Sequence, residues 1–119
     1  MKFLTLSNKL TTIGKNAFHG CYELLPFAIP NNVVSIKDHA FAYCRKIDVI
    51  SIPESVVEID NFAFYDDPIL EFVSIPESVT SIGKSAFGNT NLHSFVFPQN
   101  INIINQSMFF FFFISFIFV

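Results

Sequence analysis

Residues 83–85 read Gly83-Lys84-Ser85, the residue types found at the end of a phosphate-binding loop. Such a loop holds phosphate with the backbone N–H groups of a glycine-rich turn, and it needs another glycine five residues before the last one. Ser78 occupies that position in this chain. The sequence therefore predicts no phosphate or nucleotide site at this lysine.

Cysteine and histidine are the other side chains here that could carry chemistry. Cys21 and Cys44 are 23 residues apart, and the sequence offers neither closely spaced cysteines nor a matching pair of histidines to complete a metal site. No nucleophile is spaced to pair with His19, His39 or His93 as its base. We expect these histidines to lie on the surface. We predict no metal site, no cofactor and no catalytic residue, and we do not expect the protein to be an enzyme.

Charge and composition narrow the class of partner. Seven basic and ten acidic residues give a net charge of -3, and the basic residues form no stripe. Nucleic acid is therefore not a predicted partner, because nucleic-acid-binding proteins present a concentrated basic surface. Hydrophobic residues make up 51% of the chain, so it can build a core without disulfides or metal.

A repeat of 23 residues runs through most of the sequence. Each copy carries an Ala-Phe pair, an Ile four residues before the Ala and another aliphatic three residues before that Ile. The pairs begin at Ala17, Ala40, Ala63 and Ala86, and prolines recur at the same interval at Pro30, Pro53 and Pro76. Agreement of several residue types on one period over four copies predicts a repeat protein.

Each copy predicts the same short elements. Residues 47–52 are rich in β-branched residues and end at Pro53, which predicts a strand, and residues 56–59 predict a second extended segment. A turn should follow at Asp60, where the other copies have Gly14, Lys37 and Gly83; glycine there points to a positive φ. A short helical or 3₁₀ turn is expected around the Ala-Phe pair.

One copy cannot bury its own apolar edge, so the copies should stack. The predicted fold is an α/β-type repeat solenoid, a right-handed stack with parallel β-strands on one face and short extended segments and 3₁₀ or helical turns on the other. Equivalent residues then form columns, and Phe18, Phe41, Phe64 and Phe87 should form a ladder in the core. Cys21 and Cys44 should share a column as buried free thiols. A disulfide is the alternative, since neighbouring rungs are about 4.8 Å apart.

Residues 3–109 should form a single solenoid of about four repeats with partial copies at its ends, and residues 110–119 an apolar, Phe-rich tail. The 12 residues from Met108 to Val119 are fewer than the roughly 20 that a membrane-spanning helix needs, although the tail could still contact a membrane. Neither end carries a polar capping repeat, which predicts a tendency to associate end to end.

Alternation along the strands predicts which side chains point outward. The predicted protein-binding face, centred on Phe72, consists of Val49, Ser51, Glu71, Phe72, Ser74 and Val96. Pro26, Ala28 and Ser94 should extend this face and Asp48 should flank it. The alternative is a solvated sheet face without a partner.

The repeat resembles that of the BspA-like leucine-rich repeat family, whose unit is close to I-P-x-S-V-x-x-I-G-x-x-A-F-x-x-C-x-x-L-x-x-I. Two stretches, 52–64 and 75–87, match it nearly residue for residue, and Cys21 and Cys44 occupy its cysteine position. The third and fourth copies depart from it, with Asp67 and Thr90 near that position.

That resemblance implies a leucine-rich-repeat solenoid that binds proteins, often in adhesion at the surface of bacteria or protozoan parasites, and it brings no catalytic residue. The predicted function is a protein–protein interaction or adhesion module whose partner is a protein such as a host or matrix protein. A non-functional repeat fragment and a membrane-tethered repeat module are the alternatives. Residues 1–9 do not resemble a signal peptide, whereas the family resemblance implies a cell-surface location.

Overall fold

The structure, a computed structural model, describes residues 4–92, 94–101 and 115–118. Its strands within these residues, in chain order, are β1 Thr12–Ile13, β2 Ser35–Ile36, β3 Val49–Ser51, β4 Glu58–Ile59, β5 Phe72–Ser74, β6 Ser81–Ile82, β7 Ser94–Phe97 and β8 Ser115–Phe118. They form a four-stranded sheet in the order β1-β2-β4-β6 and two two-stranded sheets, β3-β5 and β7-β8. All pairs are parallel.

The register of these sheets is the 23-residue period itself. Ile13 pairs with Ile36, Ile36 with Ile59, and Ile59 with Ile82, so the isoleucines form one continuous buried column. The predicted stacking of copies is thus confirmed. The segments expected to be merely extended, such as residues 56–59, contribute paired strands to the larger sheet.

The predicted phenylalanine ladder is present and defines the core. The rings of Phe18, Phe41, Phe64 and Phe87 lie nearly parallel, with successive centroids 5.2, 5.3 and 5.3 Å apart. The last three are completely buried and Phe18 is half-buried. Burial of one such side chain stabilises the fold by about 1.5–3 kcal/mol.

The turn that carries each Ala-Phe pair differs from the prediction. The structure has no helix within the described residues. The prediction of a positive φ at Asp60 and its equivalents is also wrong, because the residues with positive φ lie two and six positions later in each copy. Two left-handed residues per copy, with φ between 51° and 72°, lie at Asn16, His39, Phe62 and Ser85 and at Gly20, Tyr43, Asp66 and Asn89.

Hydrogen bonding between neighbouring copies explains these left-handed residues. The N–H groups of His39, Phe41 and Tyr43 donate to carbonyls of residues 61, 63 and 65 in the next copy, at 3.1, 2.7 and 2.8 Å. The N–H groups of Ala40 and Ala42, which lie between them, instead close local turns onto Lys37 and His39. Alternate donors must therefore face the next copy, a pattern that a continuous α-helix, with every N–H directed along its own axis, does not allow.

Glycine at position 83 serves close packing instead of a positive φ. A Cβ on Gly83 would lie 2.5 Å from both the backbone nitrogen and the Oδ1 atom of Asn61. Gly14, its counterpart in the first copy, has nothing within 4 Å of such a Cβ. The same glycine position is therefore constrained by contact only where a preceding copy packs against it.

The first copy lacks the strand that its phase predicts. Pro26 occupies the position equivalent to Val49 and Phe72, and neither it nor Ala28 belongs to a strand. Proline holds its φ at about −65°, away from the roughly −120° of a parallel strand, which disfavours strand geometry at this position. In the second copy the strand is Val49–Ser51, shorter than the predicted residues 47–52.

Within the Phe-rich tail, β8 pairs along its full length with β7, so that Ser94 lies opposite Ser115 and Phe97 opposite Phe118. The predicted boundary between residues 109 and 110 stays a prediction. The partial fifth copy that begins at residue 101 lies almost entirely outside the described residues. Among the residues that are described, no helix is both long and apolar enough to cross a membrane.

Candidate protein-binding surface

The outer face of β3 and β5 carries the predicted side chains in matched pairs. Val49 lies opposite Phe72 and Ser51 opposite Ser74, and all four are exposed. Phe72 is the most exposed large hydrophobic residue of the described chain, at 67%. The alternation that predicted an outward-facing set is therefore correct in this sheet.

Val96 on β7 and Glu71, directly before β5, complete the predicted set, and both are exposed. Pro26 and Ala28, which were predicted to extend the face into the first copy, are also exposed. The side chain of Ser94 lies outside the part of the chain whose side chains are described. Whether these residues bind a partner remains a prediction.

A groove opens on this face beside β5. It encloses roughly 300 Å³ and is lined by Glu71, Phe72, Val73, Ser74, Ile75 and Val96. All of β5 thus lines the groove, together with Val96 of β7. Because β5 pairs with β3 and β7 pairs with β8, the two strands that border the groove belong to different sheets.

Carboxylates stand at both ends of these strands. Asp48 and Glu71 directly precede β3 and β5, and Glu54 and Glu77 follow the prolines that terminate them; all four are exposed. Among the described residues none of the four takes part in an ion pair. Glu77 accepts a hydrogen bond from the backbone N–H of Gln99 at 2.9 Å and Glu71 a long one from Asn91 at 3.4 Å.

Three of the basic side chains form ion pairs elsewhere. Lys46 pairs with Glu23 at 2.7 Å, Arg45 with Asp66 at 2.7 Å, and Lys37 with Glu58 at 2.6 Å. These pairs lie on other columns of the solenoid. The strand face therefore combines an exposed aromatic side chain with negative charge at either end.

The cysteine column holds an unexpected buried acid. Both thiols are free, as predicted, with Cys44 buried and Cys21 half-buried. The Sγ of Cys44 donates to the carbonyl of Phe18 at 3.1 Å, and burial raises the pKa of this thiol to about 12. In the next copy Asp67 takes this position, fully buried.

Asp67 is only partly satisfied by its neighbours. Its Oδ1 atom accepts a hydrogen bond from the backbone N–H of Cys44 at 2.7 Å, whereas its buried Oδ2 atom has no partner. Burial raises the pKa of this carboxyl to about 9, so it is protonated at neutral pH. Thr90, in the fourth copy, donates to the carbonyl of Phe87 at 2.8 Å. The sequence showed that Asp67 departs from the repeat, but only the structure shows that it is buried.

The other candidates for chemistry have structural roles. Gly83 packs against Asn61, whose Oδ1 atom accepts a hydrogen bond from the backbone N–H of Lys84 at 2.8 Å, so this segment is a turn between copies. His39 is half-buried and stacks on Phe62 at 4.9 Å, whereas His19 is exposed as predicted. His93 lies outside the described residues. No group of acidic, histidine and cysteine side chains in the described part of the chain could hold a metal ion.

Known proteins share both the repeat and the fold. The BspA type Leucine rich repeat region matches residues 1–112 in 6 copies. A leucine-rich repeat protein of T. pallidum superposes with a TM-score of 0.74 at 26% identity, over 92% of this chain and 45% of that one. No curated protein sequence matches the chain.

Two further solved structures give the same result. A leucine-rich repeat protein from Bacteroides ovatus has a TM-score of 0.65 and 27% identity over 88% of this chain and 33% of that one. A leucine-rich cell surface protein from Faecalibacterium prausnitzii has a TM-score of 0.66 and 27% identity over 86% of this chain and 34% of that one. This chain thus spans less than half the length of each of these relatives. It belongs to the family of BspA-type leucine-rich repeat proteins.

Proposed function

We propose that this chain is a protein–protein interaction module that serves adhesion at a cell surface. It binds a protein partner, such as a host or matrix protein, through the face formed by Val49, Ser51, Glu71, Phe72, Ser74 and Val96. Leucine-rich repeats of this family are generally interaction scaffolds without catalytic residues, and one structural relative is a cell surface protein. The right-handed sense of the coil remains an expectation from the resemblance.

The exposure of Phe72 is the observation that carries this proposal. Water contacts 67% of this side chain, although the same chain buries three of its core phenylalanines completely. Aromatic side chains are enriched among the residues that dominate binding energy at interfaces, particularly where smaller neighbours surround them. Val49 lies directly opposite it and Ser74 two residues further along β5, so a partner could cover the ring from the side of β3.

The proposal predicts that Phe72→Ala weakens partner binding at least tenfold while leaving the fold intact. The loss follows because truncation of a central interface aromatic costs on the order of 2 kcal/mol, and tenfold in Kd corresponds to about 1.4 kcal/mol. Binding to a panel of extracellular-matrix and host-cell-surface proteins, measured by biolayer interferometry, is the assay. Circular dichroism melting checks the fold.

Val57→Ala is the matched control. Val57 is also an exposed aliphatic residue but lies beside β4 in the other sheet, so its truncation should leave partner binding unchanged. Equal losses in the two variants, or full binding by a folded Phe72→Ala protein, would remove the assignment of this face.

The two alternatives give other outcomes in the same assays. A non-functional repeat fragment would bind no protein of the panel in either form. A membrane-tethered module would sediment with lipid vesicles, and removal of residues 110–119 would abolish that sedimentation. End-to-end association of the solenoid would appear as concentration-dependent mass in analytical ultracentrifugation.

A further inference from the structure

The groove beside β5 is closed at both ends by the next copy. Before β5 the N–H of Asn91 donates to the carbonyl of Leu70 at 3.0 Å, and after it the N–H of Gln99 donates to the carboxylate of Glu77 at 2.9 Å. Between these two bonds β5 and β7 belong to different sheets. A cavity of about 150 Å³ already holds a benzene molecule. An opening of roughly 300 Å³ that is closed at both ends therefore admits one long side chain but not a continuous stretch of backbone.

The groove offers an aromatic ring and a carboxylate, and none of its described lining residues is a cation. Phe72 is 67% exposed, and Glu71, directly before it, is exposed as well. Within the described part of the chain Glu71 forms no ion pair, and its Oε1 atom accepts a long hydrogen bond from the side-chain amide of Asn91 at 3.4 Å. Ser74 adds a hydroxyl. The other lining residues are aliphatic: Val73, Ile75 and Val96.

Elsewhere in this chain the same two groups, a carboxylate and an aromatic ring, hold an arginine. The Nη2 atom of Arg45 lies 2.7 Å from the Oδ2 atom of Asp66. Its Cζ atom lies 5.5 Å from the ring centroid of Tyr22 and 5.9 Å from that of Tyr43, within the range in which a cation and a ring attract each other. Around Phe72 the described residues supply the ring and the carboxylate but no cation.

An arginine side chain fits the groove better than the other candidate side chains. Its aliphatic stem can cover apolar surface while its charged head stays in water. Its planar guanidinium stacks on aromatic faces and matches a carboxylate with two parallel N–H groups, whereas a lysine ammonium has no plane to stack and is more strongly hydrated. A purely apolar side chain would remove water from the Glu71 carboxylate without offering it a partner, which costs free energy.

We infer that the protein partner inserts one arginine side chain into this groove. Its stem packs against Val73 and Val96, and its guanidinium lies on the ring of Phe72 and binds the carboxylate of Glu71. The inference rests on the proposed function and adds to it the side chain by which the partner is recognised.

Two tripeptides with acetylated and amidated ends, Gly-Arg-Gly and Gly-citrulline-Gly, test the inference against the intact chain. Citrulline has nearly the shape of arginine but carries a neutral urea in place of the guanidinium. In an amide NMR titration at low salt, the arginine peptide should give saturable shifts at Phe72 and Val96. It should bind about five- to tenfold more tightly than the citrulline peptide, because an exposed cation–π contact and an exposed ion pair each add a few-fold. Added salt should narrow the difference.

Two substitutions separate the contributions of the carboxylate and the ring. Glu71→Gln should weaken binding of the arginine peptide about two- to five-fold and reduce its salt dependence. Phe72→Leu keeps an apolar side chain but removes the π-system, so it should weaken binding by a similar factor and leave the salt dependence in place. Glu54→Gln is the matched control, because it removes an exposed carboxylate of the same face that does not line the groove.

Glu54→Gln should leave the affinity unchanged, and circular dichroism melting checks that each variant is folded. Absence of saturable shifts, equal affinity for the two peptides, equal effects of Glu54→Gln and Glu71→Gln, or unchanged binding by Phe72→Leu would each overturn the inference.

The outcome can be separated from that of the proposed function. If matrix or host proteins bind in a Phe72-dependent manner, but bind Glu71→Gln as tightly as wild type and the arginine peptide gives no saturable shifts, the face is an interaction surface that recognises no arginine. If the arginine peptide binds and no protein of the panel does, the groove is selective for arginine and the proposed class of partner is wrong. If neither binds, both proposals fail.

Discussion

Replacement of Asp67 by asparagine should stabilise this chain at neutral pH. The substitution keeps an oxygen at the Oδ1 position, where the N–H of Cys44 donates at 2.7 Å, and it removes a group that ionises in the unfolded chain. The side chain is fully buried, so water cannot stabilise its charged form in the folded state. The asparagine amide has nearly the same shape but does not ionise, so folding no longer has to neutralise a charge.

The size of the effect follows from the two pKa values of the carboxyl. Its pKa is 3.8 as a model value and about 9 when buried in the fold, so at pH 7 the unfolded chain has released a proton that the folded chain retains. Each pKa unit is about 1.36 kcal/mol, and 3.2 units separate pH 7 from the model value, which sets a ceiling of roughly 4 kcal/mol. In the wild type the buried Oδ2 atom has no hydrogen-bond partner, and in the variant the amide nitrogen takes its place. The cost of burying an unpaired polar atom is therefore similar in the two proteins and largely cancels from the difference in stability.

The expected gain for Asp67→Asn at pH 7 is therefore about 2–4 kcal/mol, or on the order of 10 °C in melting temperature for a chain of this size. The sign of the pH dependence follows from the same values. The folded-state pKa lies above the unfolded one, so this contribution to wild-type stability is greatest below pH 3.8 and falls until the pH passes about 9. The variant lacks that slope.

Urea denaturation of both proteins at pH 4, 5.5, 7 and 8.5 measures the difference. It should be small at pH 4 and grow by up to about 1.4 kcal/mol per pH unit. Asp66→Asn is the neighbouring control, because it also removes a carboxylate but disrupts the Arg45 ion pair and should not stabilise the chain. A difference between wild type and Asp67→Asn that does not vary with pH, or a less stable variant at pH 7, would refute the reasoning.

Two further perturbations test the packing between copies. Gly83→Ala should destabilise the chain by about 1–3 kcal/mol in urea denaturation, because the new Cβ would lie 2.5 Å from the backbone nitrogen of Asn61. In Gly14→Ala the new Cβ meets nothing within 4 Å, so this control should be neutral or slightly stabilising. Equal effects of the two substitutions would contradict the contact argument. Cys44, buried and with its pKa raised to about 12, should react with a thiol reagent at pH 8 only when the chain unfolds, whereas half-buried Cys21 should react in the folded state. Simultaneous modification of both in native buffer would show that Cys44 is accessible.

The period predicted the core because burial depends mainly on phase. Once Phe41 and Phe64 are assigned to one column, their complete burial and ring stacking follow from equal spacing. Strand alternation likewise predicted that Val49 and Phe72 point outward. These features depend on side-chain positions that repeat, which a single sequence displays directly.

The turns were harder to predict because their geometry depends on bonds between copies. Asn16, His39, Phe62 and Ser85 share a left-handed backbone although their side chains have little in common. Residue type therefore gave no signal at this position, and Gly14 and Gly83 pointed to the wrong one. At the other left-handed position, Gly20, Asp66 and Asn89 are types enriched at positive φ and could have indicated it. The burial of Asp67 was missed for a related reason, since the acid occupies a position where other copies have Cys44 or Thr90 and composition alone favours exposure.

Side-chain hydrogen bonds between distant described residues join neighbouring copies: Cys44 bonds to Asp67, Lys46 to Glu23 and Gln99 to Glu77, at sequence separations of 23, 23 and 22. Couplings of this kind connect only adjacent units, so the free energy of unfolding should increase by a similar increment with each unit added, as in a one-dimensional chain of interacting elements. Unfolding can then begin at a terminal unit and proceed inward. Selection can therefore alter the length of such an array, and with it the reach of its surface, without redesigning the units that remain.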